Sequence, residues 1–251
     1  MRIYSSSYEL MSEMGRELNS YGQTVKPKTY QNKNIEGNED FVTKEIICQQ
    51  YCLTSLQDPT WLFFYSRSRE WADAEFQERI DTSDIINPGK AWELRKDLWE
   101  QFLVNGKFDY TYNERIIHVI KPLIRLLKDD NDTRKAVLPI FNGDMDGLDT
   151  DWYDGSRRIP CSMYYDFLIR QNGQNGKGEK VLHICYHQRS SDFVTHFGND
   201  VYLAWRLMEY VAKEVGVKPG YLYHTIDSLH TYQKDWYKLA SSLRVFEDTI
   251  I

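Results

Sequence analysis

Hydrophobic positions divide the chain into a helical first half and a strand-rich second half. Leu10, Met14 and Leu18 recur at the spacing of one helix face and predict a short amphipathic helix. Residues 19–40 are polar and punctuated by Gly, Pro and Asn, and read as a loop-rich entry segment. A helix is predicted from Phe41 to about Leu56, with Ile46, Ile47 and Leu53 near one face, and a second, broken helix from Trp61 to about Ile80. Asn87-Pro88-Gly89 is a turn that launches a helix from Ala91 to about Val104, stopped near Gly106. Arg115 to Leu127 is amphipathic and ends in the polar run Lys128–Asp132. Strand patterns follow at Ala136–Phe141 and Ser162–Arg170, then, across a Gly/Asn-rich hairpin connection at 172–178, at Val181–Gln188. Tyr202–Val215 is a helix ended by Gly216 and Pro219, and Tyr221–Ile226 is a further strand. Helices followed by paired strands predict an α+β fold, in a single domain over residues 1–251. There is no G-x-G-x-x-G or P-loop to argue for a βαβ nucleotide fold.

Composition narrows the function classes. A content of 41% hydrophobic and 27% charged residues fits a globular protein with a substantial core. The 18 Tyr, 11 Phe and 7 Trp fit thick packing layers or a site that stacks on flat rings. A net charge of −6 without a Lys/Arg run argues against a nucleic-acid polymer as partner, which needs a basic stripe; a single nucleotide needs only a few cations. The N-terminal segment has no apolar signal-peptide core, and the run Trp61–Tyr65 is too short to span a bilayer. Four cysteines in a chain of 251 residues do not make a disulfide framework, so a reduced, cytoplasmic protein is expected (in a host cell if the source is viral).

Candidate chemistry centres on Cys161, in Arg158-Ile159-Pro160-Cys161 just before a strand, and on Gln188-Arg189-Ser190-Ser191-Asp192 at the end of the next. A guanidinium beside a thiol lowers its pKa, and Arg with a neighbouring Ser hydroxyl makes a phosphate fork. His183, Cys185 and His187 alternate on one strand face at a spacing a metal could use, but they run straight into Gln188-Arg189, so packing at a sheet face is expected and no metal.

RRIPCSMYYDFLIR, YHQRSSDFVTHFGND and YHTIDSLHTY, in that order and preceded by DNDTRKAVLPIFNGDMDG, resemble the thymidylate synthase family over roughly residues 115–240. The resemblance implies that family's fold, a mixed β-sheet with flanking helices whose sheets pack across an obligate homodimer. It implies addition of the Cys161 thiolate to C6 of a pyrimidine nucleotide, which makes C5 nucleophilic toward a one-carbon unit from 5,10-methylenetetrahydrofolate. Arg189 and Ser190 match the phosphate ligands, and Asp192 joins the substrate-binding set with their motif. Arg134 and Lys135 match the basic pair that reaches the phosphate of the partner subunit's site, and His230 and Tyr232 the pair on the sugar hydroxyl. Proton transfer at the base calls for a carboxylate; Glu70 has the family's distance to Trp92, with Glu75 and Glu78 nearby as alternatives. Lys26 and Lys28 are candidates for an N-terminal phosphate contact.

The base is read at Asp200. Thymidylate synthases carry Asn at the matching position; an ionised Asp offers acceptors only, suits the exocyclic amine of cytosine and gives nothing to uracil O4. Gly198-Asn199-Asp200 and Ser228-Leu229-His230 resemble viral deoxycytidylate hydroxymethylases, so 5-hydroxymethylation of dCMP is expected. A register shifted by one would give the role to Asn199. The alternatives are a methylating synthase on dUMP or dCMP, a dUMP hydroxymethylase, and a non-catalytic relative that binds nucleotide or RNA.

Overall fold

The computed structural model describes residues 1–147, 158–172 and 178–248. The chain opens with β1 (Arg2–Tyr4), α1 (Ser7–Tyr21), β2 (Gln23–Val25) and a small hairpin of β3 (Thr29–Tyr30) and β4 (Lys33–Asn34), followed by β5 (Thr43–Leu53). A helical stretch comes next: α2 (Arg69–Ile80), α3 (Lys96–Trp99), α4 (Tyr112–Ile116) and α5 (Ile120–Asp129). Then follow β6 (Val137–Pro139), α6 (Gly143–Asp146), β7 (Ser162–Asn172), β8 (Glu179–Gln188), β9 (Ser191–Asp192), α7 (Gly198–Val215), β10 (Lys218–Tyr232) and α8 (Trp236–Asp248).

The main sheet is mixed and runs β1-β5-β10-β8-β7-β6, with β2 on β5 and β9 on β10. β10 lies parallel to β8 and antiparallel to β5, so the sheet centre is built from strands distant in sequence. Alternation fixes which face is buried: Tyr165, Phe167 and Ile169 of β7, Ile184 and Tyr186 of β8, and Leu222, His224 and Ile226 of β10 all point into the core under α7. The opposite face carries half-buried His183, Cys185, His187, Tyr221 and Tyr223, with Tyr164 and Ile47 exposed. Among the described residues no helix is long and apolar enough to cross a membrane.

Two predicted elements are corrected. The helix expected at 41–56 is the long strand β5, paired with β10 from Thr43 to Leu53. Its apolar residues sit at no strict helical period, and β-branched Thr43, Ile46 and Ile47 suit a pleated surface, so long-range pairing decides the conformation. The helix expected at 91–104 is broken into a 3-10 turn at Ala91–Arg95, α3, and a second 3-10 turn at Glu100–Phe102. The broken helix at 61–80 is observed as a 3-10 turn at Thr60–Phe63 followed by α2. The expected hairpin connection at 172–178 lies largely outside the described residues.

Two features place functional residues. β10 runs six residues beyond the predicted end at Ile226, carrying His230 and Tyr232 to the mouth of the sheet. α7 starts at Gly198 rather than Tyr202, after a π-helical turn at Phe193–Phe197, the kind of irregular turn that often marks functional sites. A Cβ on Gly198 would sit 1.8 Å from the Leu62 carbonyl oxygen, so only glycine lets α7 approach the 60–63 turn this closely.

Candidate active site

The ends of β7, β8 and β10, the first turn of α7 and the inner face of α2 surround a cavity of about 530 Å³. Cys161, Arg189, Ser190, Asp192, Asp200, His230 and Tyr232 all line it, so sequence positions from 161 to 232 converge on one space.

Cys161 is fixed by the end of the β7–β8 ladder. The Arg189 backbone N–H donates to the Cys161 carbonyl at 2.9 Å. The neighbouring Ser162 hydroxyl bonds Tyr186 at 2.6 Å and Tyr112 at 3.0 Å. The Arg189 guanidinium donates from Nε to Pro160 O at 2.9 Å and from Nη2 to Ile159 O at 2.8 Å, with Nη2 4.0 Å from the Cys161 sulfur. It therefore braces the cysteine loop while facing the cavity. A depressed thiol pKa was expected from that cation. Instead, burial pushes the Cys161 thiol up; Arg189 opposes this, Asp200 adds to it, and Arg158 and a hydrogen bond from Gln31 also oppose. Gln31 reaches the site from the β3–β4 turn at φ 54°, a left-handed conformation unusual for a non-glycine.

Asp200 is held from one side. Gln188 Nε2 donates to its Oδ2 at 2.9 Å and Ser191 Oγ donates to the same oxygen at 3.0 Å, while Oδ1 has no protein partner among the described residues. Burial raises its pKa to about 6, against the Gln188 hydrogen bond, Arg79, the Ser191 hydrogen bond and Arg95. Of the two neighbouring candidates, Asp200 lines the cavity and Asn199 does not. Asn199 is 1% exposed, accepts from Ser68 Oγ at 2.8 Å and donates to Thr195 O at 3.3 Å, away from the cavity. Successive helix positions point about 100° apart, so Asp200 alone of the two faces inward.

Asp192 lines the cavity but spends Oδ1 on the backbone N–H groups of Val194 and Thr195, each at 3.2 Å, where it caps the π-helical turn. Burial raises its pKa against the pull of His230. His230 and Tyr232 meet edge to face at 5.2 Å, and Tyr232 packs on Tyr30 and Phe41 from the entry segment.

Several expected residues lie elsewhere. Glu70 is exposed on the outer side of α2; the carboxylates that α2 turns inward are Glu75 and Glu78, one and two turns on. Glu75 is ion-paired at 2.8 Å with Arg79, whose guanidinium lies 3.7 Å over the Tyr112 ring. Glu78 accepts from the backbone N–H groups of Lys90 at 2.6 Å and Ala91 at 2.9 Å. Arg134 and Lys135 are exposed, outside this chain's cavity. Lys26 and Lys28 are exposed and paired with Glu39 and Glu36. His183 Nδ1 accepts from the Tyr221 backbone N–H, and His187 contacts Asp227.

The structure adds Trp71, Trp99, Phe108 and Tyr110, which the sequence did not single out. With Trp92 they form an aromatic wall, with Trp71 and Trp99 stacked at 6.2 Å. Among the described residues the indole Nε1 groups of Trp92 and Trp99 are buried without a partner. His196 also lines the cavity, and burial drives its pKa down to about 3, leaving it neutral. Nothing in the local sequence distinguishes these residues from core aromatics.

The thymidylate synthase family model matches residues 61–246. A protein of Methanosarcina mazei named "Putative thymidylate synthase" is 30% identical over 182 residues, covering 68% of this chain and 77% of its own. The same name, identity and coverage hold for a Methanosarcina barkeri protein. The "Deoxyuridylate hydroxymethyltransferase" of Bacillus phage SP01 is 30% identical over 129 residues, 51% of this chain and 30% of its own. With its mixed sheet and helices converging on Cys161 and Arg189, the chain belongs to the thymidylate synthase family, one-carbon transferases that act on a nucleotide with methylenetetrahydrofolate.

Proposed function

We propose that the protein is a deoxycytidylate 5-hydroxymethyltransferase. The observation that carries this reading is Asp200, presented to the cavity with Oδ2 committed to Gln188 and Ser191 and Oδ1 left for the base. When ionised, Oδ1 accepts from the cytosine amine and meets uracil O4 with no donor.

Cys161 Sγ bonds to C6 of the pyrimidine, C5 bonds to the folate-borne carbon and loses its proton, and the folate departs. Water then adds to the exocyclic carbon and the C6–S bond breaks, leaving hydroxymethyl on C5. Arg189 and Ser190 bind the 5′-phosphate, and His230 and Tyr232 bind the sugar hydroxyl. Asp192 acts indirectly, by holding the turn that leads into α7. Glu75 takes the proton-transfer role expected of Glu70, because it is the inward carboxylate of α2 not tied to backbone N–H groups. The aromatic wall receives the folate ring.

A homodimer completes the site in this reading. The half-buried face of β7, β8 and β10 is covered by a second copy, and Arg134 and Lys135 reach that copy's phosphate. The chain then works as one catalytic domain over residues 1–251 in the cytoplasm, on a free nucleotide rather than a nucleic-acid polymer and with no metal.

A second reading, hydroxymethylation of dUMP, draws support from two phage relatives named "Deoxyuridylate hydroxymethyltransferase" and from the raised pKa of Asp200, whose neutral form can donate to uracil O4. Release of tritium from C5-labelled dCMP tests the chemistry. Wild type with methylenetetrahydrofolate should release it and Cys161→Ala should not. Release by the variant, or none by wild type from dCMP, contradicts the proposal.

A further inference from the structure

Arg158 stands three residues before Cys161, is 5% exposed and lines the cavity. Its guanidinium lies among four rings, 4.7 Å from Phe102, 5.1 Å from Trp99, 5.3 Å from Tyr110 and 5.8 Å from Phe108. Among the described residues only its backbone N–H meets a carboxylate, Asp109 Oδ2 at 2.9 Å. Among the described residues Nε is buried without a partner and neither Nη makes a protein hydrogen bond.

Among the described residues, the other charges around the cavity make their ion pairs and hydrogen bonds with groups other than Arg158. Arg79 pairs with Glu75 and Arg115 with Asp146, while Arg189 gives Nε and Nη2 to carbonyls. Asp192 Oδ1 accepts from the Val194 and Thr195 backbone N–H groups, and Asp200 Oδ2 from Gln188 and Ser191. Cation–π contact offsets part of the cost of a buried guanidinium, but rings accept no N–H bond in its plane. A desolvated cation with spare donors, open to a substrate cavity and without a counter-charge among the described residues, is a seat for an anion.

We propose that Arg158 binds an oxyanion of a substrate, either the nucleotide's 5′-phosphate or the glutamate carboxylate of the folate; the choice between these two rests on the function proposed above. This gives the site a second cation from its own chain besides Arg189, in a place that Lys26 and Lys28, tied to surface carboxylates, do not fill.

Isothermal titration of wild type, Arg158→Gln and Arg158→Lys with inorganic phosphate and with p-aminobenzoyl-glutamate tests this. Arg158→Gln should weaken one probe and not the other, by about 10- to 100-fold in Kd, the usual worth of charge-assisted hydrogen bonds, with Arg158→Lys recovering part of the loss. The affected probe names the source of the anion. Unchanged binding of both probes overturns the proposal. So does equal weakening of both with altered tryptophan fluorescence of the free variant, which is the mark of a structural role, and so does failure of wild type to bind either probe. If phosphate binding depends on Arg158 while neither dCMP nor dUMP is turned over, the anion seat stands and the proposed reaction fails.

Discussion

Asp200 gives the account its sharpest quantitative consequence, because its charge and its contacts make separate demands. An ordinary aspartate titrates near 3.8, whereas this one titrates at about 6 under the pressure of burial. Oδ2 receives two donors, so a bound proton resides on Oδ1, the oxygen left for the base. Below about pH 6 Oδ1–H donates and matches uracil O4; above it Oδ1 accepts and matches the cytosine amine. Placing the wrong partner opposite a buried polar atom costs roughly 1–3 kcal/mol, a factor of about 5 to 150. The ratio of kcat/KM for dCMP to that for dUMP should therefore rise by about one to two orders of magnitude as pH climbs through 6. Asp200→Asn, which has no charge to titrate, should hold a flat ratio shifted toward dUMP. The assay is paired initial-rate measurement on both nucleotides from pH 5 to 8. A flat wild-type ratio, or an unshifted one in Asp200→Asn, would refute the reasoning.

The same pKa has a consequence for stability. A carboxyl whose folded pKa is raised stabilises the native state below its unfolded value, and that contribution is lost as pH rises through about 6. The gap from 3.8 to about 6 amounts to about 3 kcal/mol at most, since solvent in the cavity screens part of it. Asp200→Asn should accordingly gain stability over wild type in urea denaturation at pH 7.5 and lose that advantage at pH 4. Glu75→Gln should lower kcat by about 10²- to 10⁴-fold, the range for a lost general acid or base, while Glu70→Gln should leave both kcat and KM near wild type. Gly198→Ala should unfold at lower temperature by an amount equivalent to at least about 1–3 kcal/mol, because its Cβ has no room beside the Leu62 carbonyl. A wild-type melting curve for that variant would show that α7 can shift.

Much of the fold's second half is legible in the sequence. Alternation in β7 and β8 and the strong apolar stripe of α7 give elements close to those observed, because both faces of that sheet are patterned. β5 is not legible, since its conformation is set by pairing with β10, 169 to 189 residues away, rather than by its own period. The residues around Cys161 and Arg189 are readable as a constellation through their spacing and their family resemblance. Glu70 misleads because distance along the chain does not say which side of α2 faces inward; the helix phase is fixed only once Trp71, Ala72 and Phe76 are buried. Arg158 is hidden in plain view within the cysteine motif, as its meaning lies in the four rings that other segments bring around it.

The central claim is tested most directly by the mass of the product formed from dCMP or dUMP with methylenetetrahydrofolate at pH 7.5. The expected product is dCMP with a hydroxymethyl group on C5, with little turnover of dUMP. A methyl product, or dUMP as the preferred substrate, would contradict that claim.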